Sequence, residues 1–171
     1  MNNPHFILLP VSPWFIGFSL LMAFLLNLLP WGGIGVGVPD FVALVLVFWS
    51  IHQPRKIGIF AAFLMGVLMD VHQGTLLGES ALAYTVLSYF SIMIHRRILW
   101  FPTATQALHI LPLLVVAQLM QMTVHLAVSG KFPHWYYFLG SLVSAVLWPL
   151  LSWLLLAPQR RSVNHDDNRP I

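Results

Sequence analysis

Between Gly58 and Glu79 the chain reads GIFAAFLMGVLMDVHQGTLLGE, an apolar helical run with a small residue at every fourth position. Gly58, Ala62 and Gly66 share one helix face, the next step on that spacing is Asp70, and the next is Gly74. A stripe of missing side chains lets a second helix approach closely, as in small-xxx-small membrane packing. The acid at its end constrains the fold further. An aspartate at the centre of a membrane helix costs about 2.5–3.5 kcal/mol to insert, and less toward the ends, so it needs a partner, water or a proton.

This run is not an isolated apolar patch. Only 8% of the 171 residues are charged and 58% are hydrophobic, where a soluble domain carries about 25% charged residues. The mean hydropathy is +0.81. Such a chain cannot cover itself with an ordinary aqueous surface, and it reads as an integral membrane protein. The basic residues sit in pairs at helix ends, which argues against a nucleic-acid partner despite the net charge of +3. With no cysteine there is no disulfide framework and no thiolate chemistry. The first apolar run, Phe6 to Leu29, has no preceding Lys or Arg and no small-residue cleavage site, so it reads as a retained helix.

In order, the pattern predicts an irregular lead-in with prolines at 4, 10 and 13, then helix 1 from Ser12 to Leu29 between Trp14 and Trp31. The GGIGVG turn at Gly32–Gly37 lacks the Lys-Ser/Thr of a phosphate loop. Pro39-Asp40 opens helix 2, Phe41 to Ile51, whose core is short enough for a re-entrant segment. Helix 3 runs from Ile57 to Val71 and helix 4 from Gly78-Glu79-Ser80 to Ile94. Helix 5 runs from Thr103 to Val128 with a kink at Pro112, and helix 6 from Tyr137 to Leu156. These six spans make one all-α domain over residues 1–157, followed by a polar, disordered cytoplasmic tail over 158–171.

Three further faces carry polar or small groups. Helix 4 aligns Ala81, Tyr84, Ser88, Ser91 and His95; helix 5 aligns Gln118, Gln121 and His125; helix 6 aligns Ser141, Ser144, Trp148 and Ser152. Six spans place Arg55-Lys56, Arg96-Arg97 and the tail arginines on one side, seven basic residues against Lys131 alone on the other. That asymmetry predicts cytoplasmic termini. Asp40, Asp70 and Glu79 then gather at the outer end. Asp40 and Glu79 read as acids at helix N-termini, which the dipole favours. Asp70 lies at a helix end where the dipole opposes it, so a specific tertiary or partner contact is expected.

No catalytic or metal site is expected. The eight histidines include no His-Glu-x-x-His pattern, and Ser80 lies in no Gly-x-Ser-x-Gly elbow.

Pro39-Asp40-Phe41, Gly66-x-x-x-Asp70, Gly74, Leu77-Gly78 and Ala81-Leu82-Ala83-Tyr84 together resemble the rod-shape-determining MreD family over nearly the whole chain. The chain departs from the pattern at Glu79, where an uncharged residue is expected. The resemblance implies a non-enzymatic, cofactor-free inner-membrane component of the cell-wall elongation machinery. It also implies work beside MreC, MreB, RodA and penicillin-binding protein 2, and a fold similar to the substrate-binding subunits of energy-coupling-factor transporters. Helix faces exceeding what six short helices need suggest docking of an MreC-like partner, or of a second copy. The docking or pocket candidates are Asp40, Gly58, Ala62, Gly66, Asp70, Glu79, Tyr84, Ser88, Gln118 and Gln121. The alternative is a vitamin-transport subunit with Asp40, Asp70, Glu79 and Gln121 lining an outward pocket.

Overall fold

The computed structural model describes residues 7–8, 11–29, 37–130 and 138–161. Among the described residues it is helical, with six α-helices: α1 (Pro13–Leu28), α2 (Phe41–His52), α3 (Ile59–Gln73), α4 (Glu79–Ile98), α5 (Thr103–Ser129) and α6 (Leu139–Leu156). Their limits follow local chemistry. Ser12 caps α1, accepting from the Phe15 amide at 3.3 Å, with Pro13 in the first turn. Asp40 caps α2 in the same way, accepting from the Ala43 amide at 3.0 Å. Gly74 ends α3 at φ 63°, a left-handed position that glycine occupies without penalty.

The centre of the bundle is α2 rather than the glycine-striped α3. Every residue from Val42 to Ile51 is buried, and a helix apolar on all sides is one enclosed by other helices. It packs against α1, α4 and α6, while α4 also packs against α3 and α5, and α5 against α6. Two large side chains of α2 reach its neighbours. Trp49 donates its indole N–H to Ser19 Oγ of α1 at 2.7 Å, and Phe48 lies 6.0 Å from the Trp148 ring of α6. Ser50 and Ser88 share a hydrogen bond of 3.0 Å between α2 and α4.

The chain ends come together. Ile7–Leu8 (β1) pairs antiparallel with Arg160–Arg161 (β2), with Ile7 opposite Arg161 and Leu8 opposite Arg160. A 3-10 turn, Ala157–Gln159, leads from α6 into β2, so residues 158–161 continue the folded chain where an irregular tail was expected. Backbone pairing with β1 supplies the hydrogen bonds that a solvated tail would take from water. The disorder expected of residues 162–171 lies outside the described residues, as do the expectations for Trp31, the GGIGVG turn through Val36, and Lys131.

The outside of the bundle is apolar. Trp14, Phe18, Phe60, Leu68, Val146 and Leu150 are all exposed. Alpha5 and α6 are long and apolar enough to cross a membrane; α1, α2 and α3 are apolar but shorter.

Candidate functional site

The described acids gather at one end of the bundle, and each begins as a local solution to a helix terminus. Asp40 precedes α2, so one carboxylate oxygen caps that helix. The Asn27 side-chain amide of α1 donates to the same oxygen at 2.9 Å, while its carbonyl oxygen accepts from the Phe41 amide at 3.1 Å. The second oxygen of Asp40 accepts from the Tyr84 hydroxyl of α4 at 2.6 Å. One aspartate thus ties three helices together.

Asp70 resolves the dipole difficulty by pointing at a different helix. It sits in the last turn of α3, fully buried, and its carboxylate lies on the N-terminus of α4. It accepts from the Ser80 amide at 2.7 Å, Gly78 at 2.8 Å and Ala81 at 3.4 Å, with the Thr75 hydroxyl at 3.5 Å. The positive end of α4 and its orphan N–H groups are what a buried anion needs. The Asp70 carbonyl oxygen also accepts from the Gly74 and Thr75 amides, so this residue shapes the turn through its backbone as well.

The small stripe serves the same joint. Ala62, Gly66 and Asp70 are buried, and a Cβ on Gly66 would stand 2.3 Å from the Ala81 Cα, 2.6 Å from its nitrogen and 2.7 Å from the Ser80 carbonyl oxygen. The face expected to receive a helix of another protein is filled by α4. Tyr84 and Ser88, expected on the matching face, are buried against α2. In this structure these positions pack against the chain's own helices. Their small side chains are what allows α3 and α4 to approach. Gly58, at the far end of the stripe, is exposed with nothing within 4 Å of its Cβ position.

Glu79 opens α4, is 8% exposed, and has its Oε2 3.6 Å from His125 Nδ1 of α5. On the same α5 face, Gln121 donates to Ser80 Oγ at 3.5 Å, and the Gln118 amide nitrogen lies 3.3 Å from the Cβ position of Gly140 in α6. The helix 5 polar stripe therefore joins α4 to α6. The transport alternative required Asp40, Asp70, Glu79 and Gln121 to line a shared pocket. Asp40 and Asp70 instead direct their oxygens at amides and hydroxyls of the chain itself.

The basic pairs lie at the opposite end. Arg55 is exposed, Lys56 donates to the Val11 carbonyl oxygen beside the start of α1, and Arg96 and Arg97 lie exposed in the last turn of α4. Among the described residues, all acids lie at one end and all Lys and Arg at the other. No group of three His, Asp or Glu suited to a metal occurs among them. Asn27, Thr75 and Gly140 were not among the candidates. Asn27 is a polar residue near the end of an otherwise apolar run, a signal that its position opposite Asp40 explains.

Fold and site define a small helical protein with the apolar circumference of a membrane protein, its aspartates spent on joining helices. A family model, rod shape-determining protein MreD, matches residues 10–157. The Rod shape-determining protein MreD of Haemophilus influenzae is 33% identical over 159 residues, covering 90% of this chain and 95% of that one. The chain belongs to the MreD family. No solved structure matches it.

Proposed function

We propose that this protein is a six-span component of the bacterial inner membrane, with both termini cytoplasmic, that helps set rod shape as a non-enzymatic adaptor of cell-wall elongation. The observation that carries the reading is the separation of charge. The acids are drawn into helix-joining bonds at one end, cations remain at the other, and an apolar surface lies between. An excess of Lys and Arg on one side is the mark of a cytoplasmic face. The paired chain ends support an even number of crossings. Depleting the protein in its own host is expected to widen and round the cells while uptake of labelled vitamins stays normal. Unchanged width with lost uptake would replace this reading by transport.

Docking of an MreC-like partner helix belongs to the same reading and falls to the outer faces, since Gly66 and Ser88 are enclosed. MreB, RodA and penicillin-binding protein 2 are then the wider assembly. Single cysteines at Phe18, Leu68, Phe90, Val116 and Leu150 sample the exposed faces of five helices in a chain with no native cysteine. At least one should crosslink to the partner helix. Silence from every position would remove the docking proposal.

A further inference from the structure

We infer that the face made by α1, α3 and α4 is a thin hydrophobic belt that draws phospholipids with short acyl chains and thins the bilayer beside it. The inference rests on the membrane-spanning reading above and deepens it.

The three helices stand side by side. Phe24 of α1 meets the His72 ring of α3 at 6.4 Å, Asn27 reaches Met69, and α3 meets α4 at Gly66. Polar groups bound the apolar height of α3 and α4, and the helix length itself bounds that of α1. Alpha1 has 16 residues, about 24 Å at 1.5 Å per residue. Alpha3 has 15 residues, about 22 Å, lying between Arg55-Lys56 and His72-Gln73. Alpha4 has 20 residues, about 30 Å, but its charge-free stretch from Ser80 to Ile94, between Glu79 and His95-Arg96-Arg97, is 15 residues, about 22 Å. The hydrocarbon core of a typical bilayer is about 30 Å thick.

The opposite side differs. Alpha5 has 27 residues and the apolar span Leu139–Gln159 has 21, about 40 and 31 Å, enough to match that core. The belt is therefore uneven around the bundle. Tilting relieves a helix that is too long, whereas a short one leaves thinning, snorkelling or self-association. Snorkelling is restricted where it would help α3, because the Lys56 ammonium is already held by the Val11 carbonyl oxygen. The exposed side chains make the face apolar: Trp14, Phe18, Phe60, Leu64, Leu68 and Phe90 all point outward.

The test uses the full chain in phosphatidylcholine vesicles, with brominated lipids of graded chain length competing to quench its tryptophans. Trp14, Trp100 and Trp153 are exposed reporters. Dimyristoleoyl or dipalmitoleoyl lipid is expected to bind best, about twofold or more above dierucoyl lipid. Replacing exposed His72 and Gln73 together by leucine lengthens α3 and should move the optimum toward dioleoyl lipid. An optimum at dioleoyl or longer in the unaltered protein overturns the thin belt and leaves the spanning reading intact. An optimum that shifts with protein density overturns it in favour of self-association. Quenching by none of the lipids overturns both readings.

Discussion

Replacing Gly66 by alanine is expected to remove most of the folded protein, although it adds one methyl group. The new Cβ would fall 2.3 Å from the Ala81 Cα and 2.6 Å from the Ala81 nitrogen, both backbone atoms of a helix that cannot rotate aside as a side chain could. Relief requires α3 and α4 to separate. Overpacking typically costs about 1–3 kcal/mol where side chains can yield, so a clash against backbone belongs at or above the upper end. Separation also lengthens the bonds from Ser80 and Ala81 to Asp70, so the loss spreads to the cap. Gly17 is the control. It lies exposed within α1 with nothing within 4 Å of its Cβ position, and Gly17→Ala should be neutral or stabilise by about 0.5–1 kcal/mol. Thermal unfolding in detergent, with the yield of monodisperse protein, separates the two. Equal melting temperatures for Gly66→Ala and the parent would refute the close crossing.

The same pair of glycines shows how much the sequence carries. The fourfold spacing of Gly58, Ala62 and Gly66 correctly announces a close helix approach, because i and i+4 share a face whatever lies opposite. It does not say which helix approaches. That is decided by the turn after Gly74 and by Asp70, which fold α4 back onto α3, so an intramolecular neighbour fills the face. Helix limits were legible for a similar reason: Ser12, Asp40 and Gly74 act on their own termini. Alpha4 extends to Ile98 because its basic last turn, His95-Arg96-Arg97, suits a helix C-terminus and does not stop it. Depth was not legible. Val42–Ile51 is no more apolar to the eye than the runs in α1 or α6, and only packing shows that it is enclosed on all sides. The partners of Asp40 were hidden because Asn27 and Tyr84 lie 13 and 44 residues away, beyond any local spacing rule.

Asp70→Leu should be the most damaging change to any acid of this chain, and Asp70→Asn an intermediate one. The leucine removes the acceptor from Gly78 and Ser80, whose amides lie 2.8 and 2.7 Å from it, the first half-buried and the second buried. Each orphaned buried donor costs about 1–3 kcal/mol, so the pair amounts to about 4 kcal/mol before any repacking. Asparagine keeps one acceptor oxygen but turns an N–H2 donor toward the other amide, giving a loss of about 2 kcal/mol. Melting temperatures should fall in the order parent, Asp70→Asn, Asp70→Leu. The Gly66→Ala and Asp70→Asn effects should not add, because both act on the Ser80–Ala81 turn of α4. Host cells carrying either Asp70 variant should lose rod shape in proportion to the fall in protein level. Normal abundance and melting with rounded cells would instead give Asp70 a role toward a partner, and an unchanged melting temperature for Asp70→Leu would refute the cap.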